Sequence, residues 1–65
     1  MKLTVNGQAH DVSAQTLEAL LLELEFEGEW LATAVNSELV RANERQNHTL
    51  KNGDRIEILT PKQGG

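Results

Sequence analysis

The group with the most unusual presentation in this 65-residue sequence is the carboxylate that follows its last two residues, Gly64 and Gly65. Pro61 cannot donate to a sheet ladder, so we expect it to end the strand that precedes it. Only polar residues and glycines follow, which predicts a flexible tail over residues 61–65 that moves on the nanosecond timescale. Because glycine has no side chain and a wide range of backbone angles, such a tail could thread a narrow channel in another protein.

A carboxylate is a poor electrophile, so the terminal group has to be activated before anything can attack it. Activation by ATP as an acyl-adenylate would suffice, and sulfur or nitrogen could then displace AMP. The chain would supply the reacting carboxylate, and a partner would supply the catalysis. Two terminal glycines also arise by chance in roughly one chain in two hundred at average glycine usage, so the remaining residues have to decide between function and accident.

The rest of the sequence does not predict an internal active site. His10 and Asp11 are neighbours, so on a strand their side chains point to opposite faces and cannot form a dyad. No serine or histidine stands in a nucleophile motif. Asn6-Gly7 and Asn52-Gly53 are typical of turns and do not form a phosphate-binding loop. We therefore expect a protein that is not an enzyme and that carries no metal and no cofactor.

Composition narrows the class of partner. Ten acidic residues against six basic ones give a formal net charge of −4, and the only aromatic residues are Phe26 and Trp30. Nucleic-acid binders usually show basic patches and stacking aromatics, so a basic protein surface is the better partner. The sequence has no cysteine, no signal-peptide pattern and no long apolar run, and we expect a soluble cytoplasmic protein with no membrane contact.

One amphipathic helix is predicted. Leu17, Leu20, Leu21 and Leu24 recur at the spacing of a buried helical stripe. Thr16 is the expected N-cap, and a glycine at position 28 is the expected stop signal. The glutamates at positions 23, 25, 27 and 29 favour a solvated face, with a docking patch as the alternative.

The remaining elements are predicted to be strands. Asn6-Gly7 between two short alternating runs is typical of a hairpin with a type I′ turn. In this register Met1, Leu3 and Val5 share a face with Val12, His10 and Gln8. In chain order, we expect strands over residues 3–5 and 8–12, a strand over 31–35, a short strand from 38 to 40, a polar loop with one helical turn over 41–49, and a last strand over 55–60.

These elements combine into one architecture. A single leucine-striped helix has to be covered by one face of one sheet, and the first and last strands can pair in parallel because the helix supplies the crossover. The prediction is an α+β, ubiquitin-like β-grasp fold, a mixed sheet of four to five strands packed on one main helix, in a single domain over residues 1–65. The tail then leaves from a central strand, which would hold its base rigidly.

Nearly the whole chain resembles a known family. The matching segments are Val5-Asn6-Gly7, the leucines at positions 17, 20 and 21, residues 34–40, residues 52–58 and the ending Thr60-Pro61-Lys62-Gln63-Gly64-Gly65. The combination is similar to the ThiS family, the small ubiquitin-like sulfur carriers of thiamine biosynthesis. One departure is that family members often have a proline between the positions of Val40 and Arg41, which affects a loop only.

The resemblance implies a cycle of reactions at the tail. A ubiquitin-activating-like adenylyltransferase (ThiF-type) would adenylate the Gly65 carboxylate, and a persulfide sulfur donor would convert it to a thiocarboxylate. Thiazole synthase (ThiG-type) would then take the sulfur for the thiazole ring. By position, Gly65 is the site of covalent AMP and sulfur attachment, and Gly64 and Gln63 thread the tail into the partner's active site.

Three alternatives remain open at this stage. The small subunit of molybdopterin synthase has the same fold, ending and thiocarboxylate, although it is usually longer. A ubiquitin-like protein modifier would join its Gly-Gly end to lysines of target proteins. A plain interaction domain with a chance ending is the third.

Overall fold

The computed structural model describes residues 1–27 and 30–60. In these ranges five strands form one mixed sheet in the order β2-β1-β5-β3-β4, which confirms the predicted ubiquitin-like β-grasp architecture. No helix in this part of the chain is long and apolar enough to cross a membrane. The elements in chain order are β1 (Lys2–Val5), β2 (Gln8–Asp11), α1 (Leu17–Glu23), β3 (Ala32–Val35), β4 (Glu38–Val40), a 3₁₀-helix (Ala42–Asn47) and β5 (Arg55–Leu59).

Strand β5 lies at the centre of the sheet. It pairs with β1 in parallel and with β3 in antiparallel orientation. Its sequence alternates, so Ile56 and Ile58 are buried against the helix side while Glu57 and Leu59 are exposed on the other face. The prediction that the strand before the tail is central is therefore confirmed.

The first hairpin forms as predicted. Asn6 and Gly7 both have positive φ, 49° and 83°, as a type I′ turn requires. Leu3 pairs with His10 and Val5 with Gln8, the expected register. Strand β2 ends one residue earlier than predicted, although Val12 is buried in the core and its amide still donates to the Met1 carbonyl at 2.8 Å.

The second hairpin uses the same kind of turn without a glycine. Asn36 and Ser37 have φ of 51° and 72° and connect β3 to β4. Non-glycine residues are uncommon at positive φ, and asparagine is among those enriched there. The predicted turn at this position is thus confirmed.

The core packs the leucine stripe of α1 against one face of the sheet. Thr16 caps the helix as predicted, its Oγ1 accepting a hydrogen bond from the Ala19 amide at 3.2 Å. Leu24 was predicted to be buried, but it is only half-buried because it stands at the C-cap, where the helix has already ended. The buried apolar residues are Leu3, Val5, Val12, Ala14, Leu17, Leu20, Leu21, Leu31, Val35, Val40, Leu50, Ile56 and Ile58.

Helix α1 ends earlier than the sequence predicts. The Phe26 amide donates to the Leu21 carbonyl at 2.8 Å, and the Glu25 amide donates to the Leu22 carbonyl at 3.1 Å. These two bonds, with Glu25 at φ 64°, form a Schellman motif. The prediction of Gly28 as the stop was wrong, since a glutamate takes the left-handed position that glycine usually fills; Gly28 itself lies outside the described residues.

The left-handed conformation of Glu25 gives a first testable prediction. The left-handed conformation costs a non-glycine residue about 1–2 kcal/mol. Replacement by glycine removes this cost, but the greater chain entropy of glycine in the unfolded state offsets part of the gain. We expect Glu25→Gly to raise the free energy of unfolding by about 0.5–1 kcal/mol in urea titrations. Glu27→Gly is the matched control, which should be neutral or destabilising; a less stable Glu25→Gly would contradict the strain argument.

The polar segment after β4 is more ordered than predicted. Residues predicted as a loop with one helical turn form a six-residue 3₁₀-helix. Arg45 anchors it to the sheet, because its Nε donates to Thr33 Oγ1 at 3.0 Å and its guanidinium donates to the Leu31 carbonyl at 2.7 Å. Thr33, which is buried, donates in turn to the Val40 carbonyl at 2.8 Å.

The acidic run at the end of α1 was predicted to be a solvated face, and its first member, Glu23, is exposed but also makes hydrogen bonds. The carboxylate of Glu23 accepts hydrogen bonds from the backbone amides of Ser13 and Ala14, the shortest at 2.9 Å. It ties the segment that enters the helix to the helix end. Glu25 and Glu27 are exposed as expected, and Glu29 is outside the described ranges.

Candidate functional site

The three residues predicted to form the working end of the chain, Gln63, Gly64 and Gly65, lie outside the described residues, as do Pro61 and Lys62. The structure describes the support from which that segment leaves, up to Thr60. This support consists of the end of β5, the strands on either side of it, and the sheet face opposite α1.

The end of β5 is held by a side chain on its β1 side. Strand β1 ends at Val5, and the backbone amide of Asn6 donates to the Ile56 carbonyl at 2.9 Å. The Asn6 carboxamide continues the pairing, since its Oδ1 accepts from the Ile58 amide at 2.8 Å and its Nδ2 donates to the Ile58 carbonyl at 3.1 Å. The sequence indicated Asn6 only as a turn residue, so this contact was missed.

The start of β5 is held by a buried carboxylate. Asp54 is 4% exposed, and its two oxygens accept from Asn36 Nδ2 at 2.9 Å and from the Lys51 amide at 2.8 Å. Burial raises the pKa of Asp54, but these two hydrogen bonds and the charges of Lys51 and His48 outweigh it and hold the pKa below its usual value of 3.8. The polar neighbours of His48 in the sequence predict a surface side chain, but His48 is half-buried.

The lowered pKa of Asp54 predicts a pH dependence of stability. A carboxyl group with a lower pKa in the folded state binds fewer protons there, so it stabilises the fold above the unfolded pKa of about 3.9. That stabilisation is lost as the pH falls below this value. In Asp54→Asn one of the two donors faces an NH₂ group, so we expect a loss of about 1–3 kcal/mol at neutral pH.

The measurement is the free energy of unfolding of parent and Asp54→Asn at neutral pH and in acid. The difference between them should shrink as the pH falls below about 4, because Asp54 then takes up a proton in the unfolded parent before it does so in the folded parent. The stabilisation is lost once the pH has fallen through the lowered folded-state pKa. A difference that stays constant over this range would mean that the charge of Asp54 contributes nothing to the fold.

The sheet face opposite α1 carries an apolar surface beside the base of the tail. Leu39 and Leu59 are 69% and 70% exposed. With Ala32, Ala34 and Glu57 they line a shallow depression of about 200 Å³. We call the surface formed by these five residues the open face. Leu59 is the last residue of β5, so the open face adjoins the point from which the tail leaves.

The described residues also bear on metal binding and on the predicted position of His10. No group of three or more histidine, aspartate and glutamate side chains in residues 1–27 and 30–60 could hold a metal ion. His10, which the predicted register places on the same face as Leu3 and Val5, lies opposite Leu3 in the β1–β2 hairpin and is half-buried.

Comparison with known proteins decides the family. A family-level sequence comparison matches residues 3–65 to the ThiS family. The chain belongs to the ThiS family. The match spans nearly the whole sequence and includes the Gly-Gly ending, and it makes this chain a ThiS-type sulfur carrier.

Two solved structures are similar to this ThiS-family chain over its full length. One is the crystal structure of the thiamine biosynthesis protein ThiS from Geobacter metallireducens, with 30% identity, a TM-score of 0.84, and full coverage of both chains. The other is a solution structure of a thiamine biosynthesis protein from the same organism, with the same identity and TM-score and 88% coverage of that chain. A search of curated protein sequences finds no match.

Proposed function

We propose that this ThiS-family chain, as a single domain over residues 1–65 with a tail over 61–65, carries sulfur for thiazole formation in thiamine biosynthesis. The observation that carries the proposal is the family match, which extends through the tail to Gly65. In this proposal Gly65 carries AMP and then sulfur, while Gly64 and Gln63 lie in the partner's channel. The similar structures from Geobacter metallireducens, both thiamine biosynthesis proteins by name, support the choice of pathway.

In the proposed reactions the chain supplies the reacting carboxylate, and the catalytic groups belong to its partners. A carboxylate oxygen of Gly65 attacks the α-phosphorus of ATP, and pyrophosphate leaves. The terminal sulfur of a persulfide donor then attacks the acyl carbon and AMP leaves, which gives an acyl disulfide. A thiol attacks the donor's sulfur in that bond, so that a disulfide forms and the Gly65 thiocarboxylate leaves. The ThiF-type adenylyltransferase supplies the catalysis for the first step and the ThiG-type thiazole synthase consumes the product, so the chain is a protein co-substrate and not an enzyme.

The open face is the surface we assign to docking of the activating enzyme. Exposed apolar side chains that adjoin one another on a small protein mark interaction sites more often than isolated ones do. Leu39 and Leu59 meet this condition, and Glu57 lies between the apolar positions. Docking there would place the base of the tail directly at the partner's surface. The net charge of −4 favours a basic surround on the partner.

This assignment predicts the effect of a charge on the open face. Leu39→Asp should raise the KM of the carrier in ATP–pyrophosphate exchange by about tenfold or more, because a carboxylate at the centre of an interface loses apolar contact and is costly to desolvate. Leu22→Asp is the matched control, since Leu22 is 73% exposed on α1. Equal effects of the two substitutions on KM would contradict the assignment of the open face as the docking surface.

Intact mass spectrometry tests the function itself. The protein is incubated with its cognate activating enzyme, ATP, a persulfide donor and a thiol reductant, and a parallel sample omits ATP. We expect an ATP-dependent gain in mass equal to the exchange of one oxygen for one sulfur. A conjugate with a lysine of another protein would indicate a modifier instead.

The pathway requires a second step in the same experiment. The thiocarboxylate form is offered to thiazole synthase and, separately, to the large subunit of molybdopterin synthase. We expect the thiocarboxylate to lose its sulfur to thiazole synthase only. Loss to the second only would assign the chain to molybdenum cofactor synthesis.

A further inference from the structure

The side chain of Asn6 takes the place of a residue of β1. A carboxamide offers one acceptor and a donor at nearly the same separation as a backbone peptide group. Asn6 uses both on Ile58, with Oδ1 2.8 Å from the amide nitrogen and Nδ2 3.1 Å from the carbonyl oxygen. The β1–β5 ladder is thereby extended by one step after the main chain has turned away into the β1–β2 hairpin.

The location of this contact links it to the tail. Ile58 lies three positions before Pro61, and β5 ends at Leu59. On its other side β5 pairs with β3 as far as Ala32 opposite Leu59. Without the Asn6 carboxamide, the pairing of β5 with β1 would extend only as far as Ile56. The last residues of β5 would then be held from the β3 side alone. Strand ends that are held less firmly open more often.

We propose that Asn6 is a positioning residue that fixes the direction in which the C-terminal tail leaves the sheet. The inference rests on the proposed function, because direction matters only if Gly65 has to reach a partner's active site. A tail whose base points in several directions presents its carboxylate correctly for a smaller fraction of the time. The apparent affinity falls in proportion to that fraction.

Asparagine is suited to this double role. Its backbone sits at φ 49° in the turn, a region that asparagine tolerates better than most residues. Glycine at this position would keep the turn and lose both side-chain bonds. Aspartate would keep the turn and the acceptor for the Ile58 amide, but it would set a carboxylate oxygen against the Ile58 carbonyl.

The variants for the test are therefore Asn6→Gly and Asn6→Asp, with Asn36→Gly as the matched control. Asn36 is also an asparagine at positive φ in a hairpin turn, and its side chain also bonds β5, accepting from the Arg55 amide at 2.9 Å. It acts at the opposite end of β5 from the tail. A general loss of stability would affect all three variants, whereas a loss of tail positioning would affect only the Asn6 variants.

The first measurement needs no partner. We expect Asn6→Gly to speed hydrogen exchange of the Ile58 amide by about tenfold or more relative to the Thr4 amide, which bonds Asp54 across the same ladder. The NMR order parameters of the Leu59 and Thr60 amides should fall in the same variant and stay at parent values in Asn36→Gly. Asn6→Asp should be intermediate, and it carries the test if the glycine variant does not fold.

The second measurement is ATP–pyrophosphate exchange at a temperature where every variant is folded. Asn6→Gly should raise the KM of the carrier by about 5- to 10-fold with kcat unchanged, since fewer molecules present the tail correctly. Asn36→Gly should leave KM at the parent value. Hydrogen exchange of the Ile58 amide at the parent rate, or equal KM values for Asn6→Gly and Asn36→Gly, would overturn the inference.

If the parent itself supports no ATP–pyrophosphate exchange, the proposed function fails. The order parameters of Leu59 and Thr60 then still decide whether Asn6 orders the base of the tail.

Discussion

Adding one alanine after Gly65 should lower ATP–pyrophosphate exchange with the cognate activating enzyme by about 10²-fold or more. The extended variant still ends in a carboxylate, but that group lies about 3.3–3.6 Å further along an extended chain. Positioned reactions lose rate steeply with displacements of this size. The added Cβ would also crowd a channel shaped for glycine.

A folding measurement separates this effect from a structural one. Among the described residues the buried core extends along β5 only to Ile58, so the extended variant should melt at the same temperature as the parent. Lys62→Ala is the matched control, because it changes the tail without changing its length, and it should retain most of the exchange activity. Full activity in the extended variant would mean that the terminus is not the reacting group. Loss of both exchange and fold would mean that the tail is structural.

Leu20→Ala should lower the free energy of unfolding by about 2–5 kcal/mol. Leu20 is fully buried on the sheet-facing side of α1, so truncation removes apolar contacts and leaves a cavity. Domains of this size bury a smaller fraction of their surface than larger domains do, and they have modest stability. The variant is therefore expected to unfold at a much lower urea concentration than the parent.

Leu22→Ala is the control on the same helix. Leu22 is 73% exposed, and substitutions at such surface positions usually change stability by no more than about 0.5 kcal/mol. The two variants differ in burial and share the same chemical change. A Leu20→Ala protein that unfolds with the parent's midpoint would show that the buried face of α1 has been misassigned.

Much of the fold could be predicted because its signals are local. The Asn6-Gly7 turn, the leucine stripe and the alternation of β5 each lie within a few residues of sequence. The parallel pairing of β1 and β5 followed from the right-handed crossover that the helix provides. These predictions agree with the structure because local preference and global packing favour the same arrangement.

The features that sequence patterns missed depend on partners distant in the chain. The Asn6 carboxamide meets Ile58, which is 52 residues away. The 3₁₀-helix after β4 has no apolar period and is held by Arg45 bonding to the sheet at Leu31 and Thr33. The end of α1 was misplaced for a different reason, because Glu25 adopts a conformation that sequence statistics assign to glycine.

The same distinction between local signals and contacts of distant residues applies to the candidate site. The Gly-Gly ending and its carboxylate could be identified from residue types alone, and the resemblance to ThiS supplied the chemistry. The open face could not, since Leu39 and Leu59 are 20 positions apart and become neighbours only through the pairing of β3 with both β4 and β5. The sequence predicted a strand over residues 55–60 but did not indicate what lies beside Leu59.

The position of β5 also bears on how the protein is made. The ribosome synthesises the two hairpins and α1 before β5. Strand β5 is the strand that joins the two hairpins into one sheet. Until then β1 and β3 each lack a neighbour on their inner edge, and the leucines of the helix have only part of their cover. The sheet therefore cannot be completed until synthesis has passed residue 59, and its completion depends on long-range pairing of β5 with β1, in which Thr4 lies opposite Arg55.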